Sequence, residues 1–195
     1  MLKGIDISHH NKNMKDPRML NTFDFVIMKA TEGTTYKDTS LSYYMSKLDK
    51  GMLKGCYHYC RPENMNTPEQ EASNFLSSVI RYIDGTCILA LDVEGNALKY
   101  KDLDNWCERW CRYVYNATGI KPLIYTSEAE CKRFQKCAEF GCGLWVAKWG
   151  IRKPKNIAPW KFFAIWQKSS NHMFSGVRVD LDYFNGSMEQ YIKYC

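Results

Sequence analysis

Eight short apolar segments are spread along the 195-residue chain, and their composition predicts β-strands. Most are continuous apolar runs rather than alternating ones, which is typical of a parallel sheet that is buried on both faces. Helical patterns separate the first five or six segments, whereas polar or turn-forming residues separate the last three. The predicted strands cover residues 3–7, 23–30, 53–59, 87–93, 121–126, 144–148, 162–167 and 177–183.

Two helices are predicted from strong local signals. The first begins at Thr67, where a capping threonine is followed by a proline and, three residues after the cap, by a glutamine. Its apolar residues recur every three or four positions as far as Ile83, and the segment from Leu103 to Val114 has the same period. Weaker helical patterns cover residues 41–48 and 128–138, and a short one lies near residues 17–20.

This order of elements predicts an α/β fold, an irregular TIM-like barrel with five β/α units followed by three strands joined by loops. A doubly wound open sheet is the alternative, but such a sheet would carry helices after its later strands as well. The chain has no linker and no low-complexity segment, so we expect residues 1–195 to form a single domain.

The segment 88–95 contains the most informative chemistry, because an apolar run ends there in Asp92 and Glu94. Side chains alternate along a strand, so these two carboxylates would project from the same face. Paired carboxylates with different pKa values are the usual means of cleaving a glycosidic bond. The alternative is a strand that simply runs into an acidic turn.

Acids, aromatic rings and one lysine converge at the predicted C-terminal strand ends, where barrels of this type place their chemistry. Flat apolar rings beside carboxylates suit a sugar polymer. Structural alternatives exist for single members: Asp6 as a turn cap, Lys29 as a solvated strand end, and Trp166 or His58 as core residues. The residues at these ends are Asp6, Lys29, Glu32, Tyr57, His58, Asp92, Glu94, Tyr125, Trp149, Trp166, Gln167, Asp180 and Asp182.

Composition narrows the possible partners. The net charge of +6 suits an anionic partner such as a bacterial wall, but Lys and Arg form no long basic run, so we expect no nucleic acid. Nine irregularly spaced cysteines do not suggest a disulfide framework, and Cys107 and Cys111 read as buried thiols of a helix. Cys56, His58 and Cys60 share one strand face without a second ligand pair, so we expect no metal.

The chain has no apolar run of membrane-spanning length, and no signal peptide follows Met1. We therefore expect no membrane insertion. These features predict a protein made for the cytoplasm, or one whose leader has been removed.

Eight segments, in order, resemble the signature segments of glycoside hydrolase family 25, the Chalaropsis-type lysozymes. The resemblance spans nearly the whole chain without a large gap. The matching segments are GIDIS at 4–8, KATEG at 29–33, GCYHY at 55–59, LDVE at 91–94, IYT at 124–126, LWVA at 144–147, WQ at 166–167 and VDLDYF at 179–184.

The resemblance implies an N-acetylmuramidase that hydrolyses the β-1,4 bond between N-acetylmuramic acid and N-acetylglucosamine in bacterial peptidoglycan, without a cofactor. It implies that Glu94 is the general acid and that Asp6, Asp92 and Asp180 are the accompanying catalytic residues. We expect Asp92 to raise the pKa of Glu94, and we favour assistance by the acetamido group of the substrate over attack by a carboxylate. The expected substrate-binding residues are Lys29, Tyr57, Tyr125, Trp166, Gln167 and Asp182.

Two departures from the family pattern stand out. Residues 8–11 read Ser-His-His-Asn where many members have an aromatic residue followed by Gln or Asn, and Asp182 stands where members more often have asparagine. The alternatives in function are a glycosidase acting on a chitin-like polymer and a catalytically dead wall-binding module, although four intact acids argue against the latter.

The biological setting implied is that of a phage endolysin: a monomeric catalytic domain without a separate wall-binding module. Such an enzyme stays in the host cytoplasm until lysis and then acts on the wall. A secreted enzyme that has lost its leader is the alternative.

Overall fold

The computed structural model describes residues 1–195 and contains nine β-strands. Eight of them close into a barrel, because the first strand pairs with the second on one side and with the ninth on the other. The third strand is a short extra one that pairs only with the end of the second. In chain order the strands are β1 (Leu2–Ile7), β2 (Phe25–Glu32), β3 (Tyr36–Lys37), β4 (Leu53–Tyr59), β5 (Cys87–Asp92), β6 (Leu123–Ser127), β7 (Gly143–Ala147), β8 (Ile165–Phe174) and β9 (Val177–Phe184).

Barrel neighbours from β1 through β8 are parallel, whereas β9 is antiparallel to both β8 and β1. This closure confirms the predicted irregular TIM-like barrel. The doubly wound alternative is wrong, because an open sheet ends in two unpaired edge strands, whereas here β1 pairs with both β2 and β9.

Five α-helices accompany the strands: α1 (Leu41–Met45), α2 (Pro68–Val79), α3 (Leu103–Thr118), α4 (Gln135–Phe140) and α5 (Met188–Ile192). The two strongly patterned helices form, although α2 ends at Val79, before the predicted Ile83, and a 3-10 turn follows it. Thr67 caps α2, since its hydroxyl accepts the backbone N–H of Gln70 at 3.2 Å and its own N–H donates to the Gln70 side chain at 3.1 Å. The weaker pattern at 128–138 is only partly helical, because α4 begins at Gln135.

The small helix α5 was not predicted, yet it closes the base of the barrel. Tyr191 is fully buried there between Phe25 and Phe184, with ring centroids 5.4 and 5.1 Å away. Its hydroxyl donates to the backbone oxygen of Lys54 at 2.9 Å, so the one polar atom of the plug is satisfied. The opposite end of the barrel interior is therefore the end left for chemistry.

Residues 168–176, predicted as a loop, instead form most of a β-hairpin between β8 and β9. Ser175 and Gly176 make its turn with positive φ angles of 44° and 84°. A two-residue turn of this kind matches the twist of the flanking strands. The hairpin continues past the barrel, where Phe174 packs edge-on against Phe23 with ring centroids 4.9 Å apart.

No helix is long and apolar enough to cross a bilayer. All nine cysteines are free thiols, and Cys107 and Cys111 are fully buried, as predicted. No three His, Cys, Asp or Glu side chains are grouped so that they could hold a metal ion.

Candidate active site

Asp92 and Glu94 project from the C-terminal end of β5 to the same side. Val93 between them is fully buried in the outer core, and its N–H donates to the backbone oxygen of Tyr125 at 3.0 Å. The backbone at Glu94 is still extended, with φ −148° and ψ −176°. The alternation of the strand therefore continues through Glu94, although the strand itself ends at Asp92.

Gly95 turns the chain away immediately after this pair of acids. Its φ is +58°, a conformation that side chains other than glycine rarely adopt. A Cβ atom at this position would also lie 2.8 Å from the hydroxyl of Tyr59. Glycine is thus required both by the turn and by the close approach of a ring at the mouth of the site.

Asp92 is the more deeply buried acid of the pair. It is 6% exposed, and its Oδ1 atom has no hydrogen-bond partner within the protein. Burial raises the pKa of Asp92 well above its usual value, the charge of Glu94 adds to the rise, and the Lys29 ammonium opposes it. The Asp92 carboxyl is therefore a buried acceptor without a donor.

Glu94 is exposed at the mouth of the barrel. Partial loss of water raises the pKa of Glu94, and the charge of Lys29 counteracts this. We predicted that Asp92 would raise the pKa of Glu94, but the influence runs mainly the other way, because Asp92 lies deeper and is the harder of the two to ionise.

Lys29 is the cation of the site and is held rigidly. Its ammonium lies 2.6 Å from a carboxylate oxygen of Glu32 and 4.8 Å from the ring centroid of Tyr59. Glu32 in turn binds the Arg61 guanidinium at 2.6 Å. Lys29 therefore reaches the acids of β5 from a fixed position on β2.

Three further acids come from β1 and β9. Asp6 lies opposite Asp180 in the antiparallel register, and Asp182 is the next residue of β9 on the same, inward face. Burial and the charge of Asp182 raise the pKa of Asp6 well above normal. Burial is also the main reason that the pKa of Asp180 and that of Asp182 are each raised to about 8.

Gln167 connects these acids to two aromatic residues. Its Oε1 atom accepts the hydroxyl of Tyr125 at 2.9 Å and the indole N–H of Trp149 at 3.1 Å. Its Nε2 atom donates to Oδ2 of Asp6 at 2.8 Å. Gln167 is 3% exposed and its amide is engaged within the protein, where it holds the Asp6 carboxyl; its contact with substrate stays a prediction.

The structure does not support the predicted contact of Trp166 with substrate. Trp166 neighbours Gln167 in sequence and so faces the opposite side of β8, where it packs against Leu144 and Phe163 in the outer core. Its indole N–H donates to the backbone oxygen of Lys148 at 2.7 Å. Asp182, which we also expect to bind substrate, is completely buried in this structure.

A second aromatic residue at the mouth, in addition to Tyr59, is Trp149, which is 64% exposed. The sequence places Trp149 at a strand end but does not assign it to substrate binding. Tyr57, half-buried, lies below the mouth with its ring 6.1 Å from that of Trp145. Trp145 itself donates its indole N–H to Oδ1 of Asp182 at 2.8 Å, a role that no sequence signal indicated.

His58 belongs to the structural core and not to the site. It is fully buried on the outer side of β4, with its ring nitrogens 2.8 Å from Glu71 and 2.7 Å from the Thr31 hydroxyl. The ring stacks on Trp110 at 5.6 Å. Burial lowers the pKa of His58, so the ring stays neutral at physiological pH.

Acids carried by β1, β5 and β9 thus surround one barrel mouth, with a fixed lysine and an exposed indole beside them. A sequence profile of the family described as "Glycosyl hydrolases family 25" matches residues 5–177. The chain belongs to this family. The prediction from the signature segments is confirmed.

Alignments with similar known proteins cover nearly all of this family 25 hydrolase. It is 31% identical to YegX of Escherichia coli K12, over 97% of this chain and 71% of that protein. It is 28% identical to Lysozyme M1 of Streptomyces globisporus, over 95% and 68% of the two chains. The structure also resembles that of a family GH25 lysozyme from Aspergillus fumigatus, with a TM-score of 0.78, 32% identity, and coverage of 99% and 98%.

These relationships establish the reaction class. The protein is a glycoside hydrolase, an N-acetylmuramidase that hydrolyses bacterial peptidoglycan. The acids at the mouth of its barrel are of the kind that cleavage of a glycosidic bond requires.

Proposed function

We propose that Glu94 is the general acid of this muramidase. It would protonate the leaving oxygen of the β-1,4 bond between N-acetylmuramic acid and N-acetylglucosamine. The proposal is supported by its exposed place at the end of β5, and by a raised pKa that keeps its proton in place at a higher pH than an ordinary glutamate would.

The 2-acetamido group of the substrate acts as the nucleophile, and Asp92 orients it. The acetamide oxygen attacks the anomeric carbon while the bond to the leaving oxygen breaks and the Glu94 proton moves to that oxygen. Water, which gives a proton to the Glu94 carboxylate, then adds to the anomeric carbon and breaks its bond to the acetamide oxygen, so that both the acetamido group and the Glu94 proton are restored. The observation that carries this step is Oδ1 of Asp92, a buried acceptor without a partner that the substrate N–H would satisfy.

Other acids and aromatic groups complete the proposed site. Asp6 and Asp180 direct water or bind the sugar, while Lys29 neutralises part of the negative charge. Tyr57 and Tyr125 line the interior, and Trp149 offers a ring at the mouth where a pyranose can stack.

The test of the general acid is wall lysis by Glu94→Gln, with the fold checked by circular dichroism. We expect activity to fall by about 100-fold or more, as is usual when a general acid is lost. Glu130→Gln is a matched control, since Glu130 is an acid that pairs with Arg133 at 3.0 Å outside the site. Activity of Glu94→Gln within about tenfold of the wild type, or about 1.4 kcal/mol, would contradict the assignment.

Product analysis separates this reaction from cleavage of a chitin-like polymer. Mass spectrometry of digested walls should find muramic acid at every new reducing end. Fragments that end in N-acetylglucosamine would instead indicate the other bond or the other polymer.

We also propose that the enzyme is monomeric and acts as a phage endolysin, which waits in the host cytoplasm and reaches the wall at lysis. The charge of +6 supports binding to an anionic wall. Bacteria that express the enzyme in their cytoplasm should stay intact until a pore-forming agent is added. Lysis without that agent would contradict the endolysin setting.

A further inference from the structure

His9 lies at the mouth of the barrel and takes no part in the chemistry assigned to the acids. It belongs to a short 3-10 turn, residues 9–11, and follows Asp6 by three residues after the C-terminal end of β1. Its side chain is 33% exposed, whereas the side chain of Asp38, which it contacts, is 0% exposed. A buried acid thus holds an imidazole that substrate can reach.

Both oxygens of the Asp38 carboxylate have defined partners. The Oδ2 atom accepts the backbone N–H of His9 at 3.0 Å and lies 2.9 Å from Nδ1 of the His9 ring. The Oδ1 atom accepts the backbone N–H of Ser40 at 2.9 Å and the Ser40 hydroxyl at 2.6 Å. Burial opposes ionisation of Asp38, but hydrogen bonds from Ser40 and His9 outweigh it and lower the pKa of this acid. An ionised carboxylate can only accept, so Nδ1 is the ring nitrogen that carries the hydrogen.

The other ring nitrogen, Nε2, makes no hydrogen bond within the protein. With the hydrogen on Nδ1, the Nε2 atom of the neutral ring is an acceptor with a free lone pair. The ring cannot rotate without losing its contacts, because it packs on His10 with centroids 3.9 Å apart and the Tyr36 hydroxyl lies 3.0 Å from Nδ1. His9 therefore presents an acceptor in a fixed direction.

Tyr36 connects His9 to the lysine of the site. The short strand β3 pairs with the end of β2 so that Tyr36 lies opposite Glu32, the partner of Lys29. The Tyr36 ring centroid lies 5.6 Å from the Lys29 ammonium and 5.9 Å from the centroid of the His9 ring. Counted round the closed barrel, β1 and β2 lie opposite β6 and β7, and Trp149 follows β7. His9 and Trp149 thus border the mouth from opposite sides.

We propose that His9 is a further substrate-binding residue, whose Nε2 atom accepts a hydrogen bond from a hydroxyl or acetamido N–H of the glycan on the β1–β3 side of the mouth. Asp38 is then a positioning residue, because it sets the orientation of the ring and the nitrogen that carries the hydrogen. A polymer that lies across the acids has to be held on both sides of the bond that is cleaved, and Trp149 is on one side only. This role deepens the proposed function but makes no use of Glu94.

Asparagine at position 9 tests the free nitrogen, because its amide can replace Nδ1 as the donor to Asp38 but offers nothing in the place of Nε2. The KM of His9→Asn for soluble wall fragments should rise by about two- to tenfold, as expected for one lost hydrogen bond, with kcat within about twofold of wild type. His172→Asn is the matched control, since this half-buried histidine lies opposite Val179 of the outer core, away from the mouth. It should leave both constants unchanged.

An unchanged KM in His9→Asn would overturn the proposal, and so would a fall in kcat alone. KM does not depend on the fraction of enzyme that is folded, so the comparison holds even if the variant is less stable. It also holds if Glu94 proves not to be the general acid, because it compares binding and not the proton transfer.

NMR of the ring nitrogens tests the role of Asp38 without relying on activity. At about pH 8, where histidine side chains are usually neutral, the signals of His9 should show the hydrogen on Nδ1. His9→Asn identifies these signals by their absence. A hydrogen on Nε2 would overturn both the free acceptor and the positioning role.

A double-mutant cycle completes the test. Asp38→Asn should raise KM by about the same factor as His9→Asn, and the double variant should show no further rise, because both changes remove the same contact with substrate. Independent rises that multiply in the double variant would overturn the positioning role. If Asp38→Asn does not fold, the position of the hydrogen on the His9 ring decides the matter.

Discussion

The two ends of the barrel interior are built by the same strands and yet have opposite chemistry. At the base, Phe25, Phe184 and Tyr191 are buried and apolar apart from one satisfied hydroxyl. At the mouth, the same alternation of inward positions delivers Asp182 from β9 and Asp92 from β5, both nearly inaccessible to water. Burial of a large apolar side chain contributes about 1.5–3 kcal/mol, whereas burial of a carboxylate costs several. The apolar base therefore stabilises the barrel, whereas the buried carboxylates at the mouth destabilise it.

The acids at the mouth also differ from the acids on the outer surface. Asp84 lies 2.7 Å from the Lys54 ammonium, and Glu128 lies 2.6 Å from that of Lys148. Hydrogen bonds from these lysines and from nearby residues outweigh desolvation and lower the pKa of each acid. Among the interior acids, the charge of Lys29 opposes the rise in the pKa of Asp92 and Glu94, but burial outweighs it, and burial also raises the pKa values of Asp6, Asp180 and Asp182. The acids at the catalytic end thus differ from the surface acids because they are buried without enough positive charge nearby.

The largest expected effect is a loss of stability caused by a substitution at the apolar base. Phe25→Ala should destabilise the protein by about 3–5 kcal/mol, because Phe25 is fully buried against Tyr191 and the cavity would not refill. Denaturant unfolding measures the loss. Activity per folded molecule should not change, because the base does not touch substrate.

Phe162→Ala is the matched control for this prediction, since Phe162 is mostly exposed. It should change stability by no more than about 0.5 kcal/mol. If Phe25→Ala proved as mild as the control, the base would not be the stabilising end and the comparison would fail.

The parts of this architecture that were predictable carry local signals. The cap at Thr67 and the apolar period of α2 can both be recognised from residues that are close together in the sequence. The apolar run that ends in Asp92 and Glu94 identifies β5 in the same way. The barrel itself followed from the order of elements. The acids converge because successive parallel strands end at the same face.

The parts that were missed depend on contacts between distant residues. Trp166 was assigned to the site because it is aromatic and near a strand end, but one position of register places it in the outer core. Helix α5 is too short to show a period, and its value lies in the contact of Tyr191 with the barrel base. The Ser175-Gly176 dipeptide was a usable hairpin signal that the polar residues around it obscured.

The next effect concerns the acidic end and its dependence on pH. The folded pKa values of Asp180 and Asp182 are each about 8, above the unfolded value, so the folded state binds more protons between those limits. Their contribution to stability is complete below about pH 4 and is lost as the pH rises towards 8. His58 acts in the opposite sense, because its lowered pKa makes stability fall as the pH drops below about 6.5.

Denaturant unfolding over pH 5 to 8 should therefore show stability decreasing towards alkaline pH. Asp84→Asn is the control, because the pKa of Asp84 is lowered and its contribution is lost only at acid pH. This variant should leave the decline between pH 5 and 8 unchanged. A stability that rises over that range in the wild type would mean that the mouth acids are not held in protonated form.

The smallest effect concerns Trp149, which lies where the acidic interior meets solvent. Its indole N–H donates to Gln167, while its exposed face is free to stack on a sugar. Trp149→Ala should raise the KM for soluble wall fragments by about three- to tenfold, because a stacked ring contributes about 0.5–1.5 kcal/mol. Trp149→Phe keeps the ring and loses the N–H, so it should retain most of the affinity if stacking is the main contribution. An equal loss in both variants would instead mean that Trp149 acts through Gln167 and Asp6, and a fall in kcat with unchanged KM would point the same way. In that case the acidic end of the barrel would include Trp149 and would extend to the solvent.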